Sequence, residues 1–311
     1  MLKESQLKAL VTGSGGFAGE HLTEELVNSG YTVTGLDAVP GANTIQADIL
    51  KENELGAIMH SVRPDVIFHL AGQASVAKSW DIPRRTFEVN VIGTINLIEA
   101  VKGFDKNVRI VLIGSSDEYG DAAKESAIFN EEMVTHPQNP YAASKKAQEE
   151  IARIYVKAKG LNICLTRSFN HSGAGQKPGF IISDFCSSIV SVEKGLQESI
   201  KVGNLDAKRD FTHVKDVVRA YRLIGERGIS GEVYNVGSGK VYSGQEILDR
   251  LLSKSKCNIK VERDPLKLRI SDAPVIQCDN RKLVAQTGWK PQHDLDKILQ
   301  DTLDYYREKD A

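Results

Sequence analysis

The sequence predicts an α/β fold: a doubly wound parallel sheet with helices on both faces, followed by a smaller, mixed C-terminal region. Three observations predict it. The first half of the chain alternates short β-rich runs with amphipathic helical stretches, and such alternation implies parallel strands joined by right-handed crossovers. The strand segments are nearly continuous apolar runs, as expected when both faces of a sheet are covered. A cluster of glycines stands between the first strand segment and the first helix.

In order, residues 7–12 (LKALVT) read as a buried strand that runs into glycines at 13, 15, 16 and 19. Residues 20–29 read as a helix, with Leu22, Leu26 and Val27 on one face. Residues 31–36 form a second strand ending at Asp37, 44–47 a third, and about 50–62 a helix. Residues 65–70 (DVIFHL) and 109–114 (RIVLIG) are further strands, with helical spacing over 84–101 between them. Residues 140–159 predict a long helix, with Pro140 suited to its first turn; 161–167 predict another strand. After about residue 168 the rhythm changes, and loops rich in Gly, Ser, Asn and Pro appear at 170–179. The expected division is a first unit over 1–168, to which 203–230 returns, and a second, smaller unit over 169–202 and 231–311.

Charge and composition exclude several classes. With 40 Lys+Arg against 41 Asp+Glu, the net charge of -1 lacks the footprint of a general nucleic-acid binder. No apolar run approaches the ~18–20 residues that span a bilayer. The start, MLKESQLKAL, has no apolar segment of the signal-peptide kind. A cytoplasmic protein with neither nucleic-acid nor membrane partners is expected. The four cysteines (Cys164, Cys186, Cys257, Cys278) form no Cys-x-x-Cys pair. Neither a metal site nor a disulfide framework is indicated, and free thiols in a reducing compartment are expected.

Gly13, Gly16 and Gly19 form G-x-x-G-x-x-G between a strand and a helix. The first glycine allows a tight turn, the second lets backbone approach a pyrophosphate, and the third allows close helix–strand packing. The helix start beyond them offers unpaired N–H groups to phosphates. Asp37 lies 18 residues beyond Gly19, at the end of the second strand. There a carboxylate accepts hydrogen bonds from the adenine ribose and repels a 2′-phosphate. A Rossmann-type dinucleotide site follows, with NAD(H) favoured by Asp37 and NADP(H) the second choice.

Tyr141 and Lys145 are four residues apart at the start of the long helix and so share a face. An ammonium beside a phenol lowers the phenol from its ordinary pKa of about 10. Such a tyrosine exchanges a proton with a carbonyl or alcohol oxygen, and a serine hydroxyl beside that oxygen steadies its developing charge. Ser115 and Ser116 follow a strand end, at the sheet edge where ligands bind. His69 reads as a core or cap residue, Glu131 and Glu132 as a solvated turn, and Trp80 and Trp289 as packing residues.

With these motifs in place, the chain resembles the extended short-chain dehydrogenase/reductases, in their sugar-nucleotide branch. The matching segments are TGSGGFAG (12–19), HLAGQAS (69–75), GSSDEYG (114–120), YAASK (141–145), RSFNHSGAGQ (167–176), VGNLDAKRDFTHVKDVVRAY (202–221) and TGWKP (287–291). Within the branch, 169–176 and 203–211 are similar to the enzymes of GDP-mannose metabolism.

The resemblance implies Ser115, Tyr141 and Lys145 as catalytic residues, with Lys145 also holding the nicotinamide ribose. Toward the cofactor it implies Gly13, Gly16, Phe17, Ala18, Gly19 and Asp37, the adenine-side pair Asp48 and Ile49, the loop Leu70, Ala71 and Gly72, and Phe169 and His171 beside the nicotinamide. Toward the substrate it implies Ser75 (with Ser79 nearby), Ser116, Asp117, Asn170, Val202, Asn204, Arg209 and Arg269. Ala174 and Ile270 depart from the family pattern, which has proline at both places.

The loop after the second strand, 38–43 (AVPGAN), lacks the long insertion of the related dehydratases. The resemblance therefore implies reduction of the 4-keto group of a GDP-4-keto-6-deoxy-mannose-type sugar nucleotide by NAD(P)H, giving GDP-D-rhamnose. A GDP-mannose 4,6-dehydratase, or a sugar-nucleotide 4-epimerase with internal hydride recycling, is the alternative within the class. A non-catalytic NAD(H)-binding sensor is the alternative outside it. A homodimer packed through helices 84–101 and 140–159 is expected.

Overall fold

The computed structural model describes residues 6–103, 107–120, 127–265 and 274–309. In chain order, β1 (Lys8–Thr12), α1 (Phe17–Asn28), β2 (Thr32–Asp37), β3 (Thr44–Gln46), α2 (Glu52–Val62) and β4 (Val66–His69) come first. Next are α3 (Val76–Asp81), α4 (Pro83–Phe87), a π-helical turn (Glu88–Ile92), α5 (Gly93–Lys102), β5 (Arg109–Ser115), a 3-10 turn (Ser116–Tyr119), β6 (Ile128–Phe129), α6 (Pro140–Lys159) and β7 (Asn162–Ser168). The remainder holds β8 (Asn170–Ser172), α7 (Ile181–Glu193), β9 (Ser199–Val202), β10 (Lys208–His213), α8 (Val214–Arg227), β11 (Val233–Val236), β12 (Val241–Ser243), α9 (Gly244–Leu252), β13 (Lys260–Arg263), β14 (Val275–Cys278), α10 (Arg281–Thr287) and α11 (Leu295–Lys309).

Seven parallel strands form the main sheet in the order β11-β7-β5-β4-β1-β2-β3. The chain walks outward from β1 to β3, then returns to β4 and walks the other way. The switch point therefore lies between β1 and β4, where open α/β sheets bind ligands. One face is sealed by α1 and α8 through Leu22, Leu26, Val217, Tyr221 and Ile224, the other by α2, α5 and α6 through Leu55, Met59, Leu97 and Ala152. Asn139 caps α6, accepting the Ala142 N–H at 2.8 Å, and Gly160 ends it in the left-handed conformation.

The smaller region carries a mixed sheet in which β10 lies between β12 and β14, β6 lies beyond β14, and β8 pairs with β10. A β13–β9 ribbon and helices α7, α9 and α11 close their own core around Phe185, Ile189, Leu248 and Leu299.

Four expectations need correction. Residues 231–311 were expected in the smaller unit, yet β11 pairs with β7 at the outer edge of the main sheet. All four of its residues are buried, so this short apolar strand needs cover on both faces. Leu283 and Trp289 likewise join the core beneath α1 and α8. Of 203–230, only α8 returns to the main sheet, because β10 belongs to the smaller one. The helix expected over 84–101 is divided by the π-helical turn. The turn holds Asn90, which is fully buried. Asn90 accepts from Gln73 N (2.7 Å) and donates to Gln73 O (3.1 Å) and Ser144 Oγ (2.9 Å). Such bulges concentrate at functional sites; this one ties the loop after β4 to α6. Finally, Trp289 packs as expected, its Nε1 donating to Asp216 O at 2.9 Å, but Trp80 on α3 is 63% exposed.

Candidate active site

The glycine turn sits at the switch point. Gly13 has φ +72, and a Cβ there would stand 2.7 Å from Ala71 N, so the loops after β1 and β4 touch. A Cβ on Gly19 would stand 2.1 Å from Gly13 O, which leaves glycine as the residue that lets α1 begin this close to β1. Gly16 caps α1 with no side-chain hydrogen bond. The first N–H groups of the helix, at Phe17 and Ala18, are thus left for an anion. Asp37 borders the turn from the end of β2, its carboxylate accepting Gly15 N and Val39 N, both at 3.0 Å. Phe17 and His171 stack with ring centroids 6.1 Å apart, joining the start of α1 to β8. Burial lowers the His171 pKa, favouring a neutral ring. These features fit a dinucleotide: a cradle that a Cβ would fill, an uncapped helix start and a carboxylate at its flank.

Asp48 and Ile49 stand together at the β3–α2 junction. Asp48 accepts Leu50 N at 3.0 Å, and Ile49 is buried against Gly93, where a Cβ would meet its Cδ1 at 2.5 Å. Leu70, Ala71 and Gly72 form the loop that meets Gly13. His69 below them is a fully buried spacer, hydrogen-bonded to Thr12 Oγ1 (2.7 Å) and Thr94 Oγ1 (2.9 Å). Burial, with the charge of Lys145, pushes its pKa down to about 3, so it stays neutral, as a core residue would.

Ser115, Tyr141 and Lys145 come together where β5 ends and α6 begins. Ser115 ends β5 and caps the 3-10 turn, and its side chain hydrogen-bonds the Tyr141 phenol. Lys145 Nζ donates to Ile113 O (2.8 Å) and Gln148 Oε1 (3.0 Å). A Cβ on Gly72 would stand 3.7 Å from that Nζ, so the lysine also faces the loop along the switch point. Burial pulls Lys145 down to about 8 against the opposing pull of Glu118. The expected lowering of the phenol is reversed. Burial raises the Tyr141 pKa, and the Asp117 carboxylate raises it further, against the bond from Ser115. The phenol therefore holds its proton across the neutral range.

The substrate-side residues are more dispersed. Ser75 caps α3, its Oγ accepting Lys78 N at 3.2 Å, and Ser79 is buried in the same helix. Ser116 and Asp117 flank Ser115 in the 3-10 turn. Asn170 and Arg209 lie on adjacent parallel strands, Asn170 paired with Phe211. Arg209 donates from Nη1 to Lys208 O at 2.9 Å. Asp210 is buried and accepts from Ser238 N, Ser238 Oγ, Gly239 N and Cys278 N. Asn204 is exposed, its Oδ1 accepting Asp206 N at 2.9 Å. Arg269 and Ile270 lie outside the described residues.

Two candidates are core residues here. The Phe169 ring is 2% exposed and packs with Tyr119, Phe129 and Cys278. The Val202 side chain is buried against α7 and α9. Phe169 lies between β7 and β8, and Val202 ends β9. Glu131 is partly buried and accepts Asn235 N at 2.7 Å, so it is structural and not a solvated turn. The residues that the motif reading missed are Asn90 and Glu118. Asn90 is marked only as a polar residue inside an apolar helical stretch; Glu118 carries no sequence signal of its own.

A protein-family model, GDP-mannose 4,6 dehydratase, matches residues 10–302. The chain belongs to that family. It is 34% identical over 286 residues to the GDP-6-deoxy-D-mannose reductase of Pseudomonas aeruginosa, covering 92% of each chain. The solved structure of RMD from Pseudomonas aeruginosa, complexed with NADPH, superposes with a TM-score of 0.89 at 31% identity, covering 98% of this chain and 100% of that one. The UDP-glucose 4-epimerase of Thermus thermophilus, solved with NAD, has a TM-score of 0.85 at 28% identity, over 97% and 99% of the two chains. The Rossmann-type sheet and the sugar-nucleotide branch implied by the motifs are thereby established. Of these two solved structures, the first holds NADPH and the second NAD. No helix among the described residues is long and apolar enough to cross a membrane.

Proposed function

We propose that this chain reduces the 4-keto group of a GDP-4-keto-6-deoxy-mannose-type sugar nucleotide, giving GDP-D-rhamnose. The observation that carries this reading is the 34% identity to a GDP-6-deoxy-D-mannose reductase across 92% of both chains. The short 38–43 connection between β2 and β3 and the proton held by Tyr141 support it.

In this reading the glycine turn and the start of α1 hold the cofactor pyrophosphate, and Asp37 the adenine ribose. When bound, the nicotinamide supplies hydride to C4 of the sugar. Tyr141 donates its phenolic proton to the oxygen that becomes negative. Ser115 hydrogen-bonds the same oxygen and orients it. Lys145, positioned by Ile113 O and Gln148, holds positive charge beside them. Asn170 and Arg209, on adjacent strands of the smaller sheet, take the substrate diphosphate, with Arg269. The region built on β8–β10, α7, α9 and α11 is the substrate side, and a homodimer forms through α4, α5 and α6, where Ile154 is 61% exposed.

The test is oxidation of NADH or NADPH by purified protein in the presence of the GDP-keto sugar; no oxidation of either defeats the reading. A second reading, dehydratase or epimerase, is favoured by Asp117, whose carboxylate acts on the Tyr141 phenol. Conversion of GDP-mannose or a UDP-sugar with catalytic amounts of cofactor would establish it instead.

We further propose NADH as the preferred reductant, because Asp37 presents a carboxylate beside Gly15 where a 2′-phosphate would stand. Asp37→Ala is expected to shift the ratio of kcat/KM for NADH over NADPH by about tenfold toward NADPH, roughly 1.4 kcal/mol. A ratio unchanged by the substitution removes Asp37 from the adenine ribose.

A further inference from the structure

A second layer of charge lies beneath Ser115, Tyr141 and Lys145. Glu118, on the 3-10 turn after β5, is fully buried. Its Oε1 accepts Ser115 N at 2.9 Å while Ser115 Oγ accepts Asp117 N at 3.2 Å. This reciprocal capping box ties the carboxyl to the backbone that carries Ser115. A Cβ on Gly114 would stand 2.3 Å from Thr166 O and 2.7 Å from Oε1, so the glycine before Ser115 leaves room for both the β7 backbone and the carboxyl.

The other oxygen is the unusual one. Glu118 Oε2 and Gln148 Nε2 are, among the described residues, the two buried side-chain polar atoms without a hydrogen-bond partner. Both border Lys145: Gln148 holds its Nζ at 3.0 Å, and the charge of Glu118 acts on it. The groups facing Glu118 are Tyr141, Lys145 and Glu149 from α6, Arg167 from β7, and Asp117 and Tyr119 from its own turn. Arg167 gives its two good bonds to Glu149, from Nε at 2.9 Å and Nη2 at 2.8 Å, and approaches Glu118 Oε2 only to 3.9 Å. The Glu149 carboxylate also acts on Glu118, whose Oε2 has no hydrogen-bond partner to hold a charge, and two neighbouring buried carboxyls keep one proton between them. That proton belongs on Glu118, the partner without the arginine. A mere packing residue at this position would need no carboxyl.

We propose that Glu118 is a positioning residue of the acid–base set: it fixes the Ser115 backbone and sets the charge that Lys145 carries as the pH rises past neutrality. Burial and the Glu149 charge raise the Glu118 pKa. As Glu118 loses its proton, its charge sustains the ammonium of Lys145, which burial would otherwise neutralise.

The inference rests on the role of Lys145 proposed above, so its test does not require sugar-nucleotide turnover. NADH and NADPH binding, followed by nicotinamide fluorescence from pH 6 to 10, is compared in the wild type and Glu118→Gln. Affinity should weaken as Lys145 loses its proton, with the midpoint about one pH unit lower in the variant. Glu118→Met, which suits a buried site, gives the same comparison if the amide does not fold. The melting temperature supplies a second readout. A carboxyl whose folded pKa is raised stabilises the fold below its ordinary value of 4.5, and that stability is lost as pH rises toward the folded value. The wild-type Tm should therefore fall relative to the variant over that range. Coincident binding profiles, or coincident Tm profiles, overturn the proposal. Binding that shifts as expected, with no turnover of any sugar nucleotide, would defeat the proposed function and leave this inference standing.

Discussion

Tyr141→Phe lowers turnover of the GDP-keto sugar by roughly 10²–10⁴, the range for a positioned proton transfer, and leaves cofactor affinity close to wild type. The substitution removes one oxygen and keeps the ring. The ring is buried at the start of α6, and the lost hydroxyl bonds Ser115, itself anchored by the Asp117 N–H and by its own N–H to Glu118. Lys145 keeps Ile113 O and Gln148, so the group nearest the cofactor loop stays in place. What disappears is the proton for the new hydroxyl. Because burial and Asp117 raise the phenol, it remains a proton donor throughout the neutral range. The alkaline limb of wild-type turnover should then follow Lys145, near pH 8. Lys145 bears positive charge below that value and loses it above, so the rate falls as pH rises. Single-turnover oxidation of the reduced cofactor measures both effects. A variant within tenfold of wild type would assign the proton to another group.

The fold and the chemical set were legible because each leaves a local mark. Gly13 and Gly19 are glycine because backbone stands 2.7 Å and 2.1 Å from where a Cβ would be, and that constraint is written in consecutive letters. Tyr141 and Lys145 are legible because helical spacing alone places them on one face. β11 was misplaced because four residues, Val233–Val236, do not say which sheet covers them. Phe169 and Val202 are implied by family motifs, and a motif does not say which way a side chain turns: both pack into the core. Trp80 went the other way, since nothing in its neighbours tells an exposed aromatic from a buried one. Glu118 and Asn90 were invisible for a deeper reason. Their burial is decided by Glu149, Arg167, Gln73 and Ser144, residues 17 to 54 positions away. The near-neutral net charge of -1 hid the same fact. A net charge near zero does not show that Glu118, Lys145, Glu149 and Arg167 are buried together.

Arg167→Met is expected to destabilise the fold by about 3–5 kcal/mol, the usual loss when one partner of a buried ion pair is removed. Arg167 and Glu149 are each 3% exposed. The guanidinium also lies over the Tyr119 ring, 4.8 Å from its centroid. Removing it leaves the Glu149 carboxylate inside the protein with Lys146 and Arg153 as its remaining cations, at 3.4 Å and 3.3 Å. Both approach from the outer side of α6, so neither replaces a bond from β7. Burial alone would raise the Glu149 pKa, but the bonds from Arg167 outweigh it and hold the carboxyl below its ordinary 4.5. A lowered pKa contributes stability that is present above 4.5 and lost as pH falls through the folded value. The gap between wild type and variant should therefore be widest near neutrality and close under acid. The double variant Arg167→Met with Glu149→Met should recover much of the loss, because an apolar pair of similar volume leaves no charge unmatched. Urea unfolding of wild type, Arg167→Met, Glu149→Met and the double variant, at neutral pH and near the folded Glu149 value of about 2, measures the coupling. A double variant no more stable than Arg167→Met alone would show that the guanidinium acts by packing over Tyr119, and not by holding Glu149.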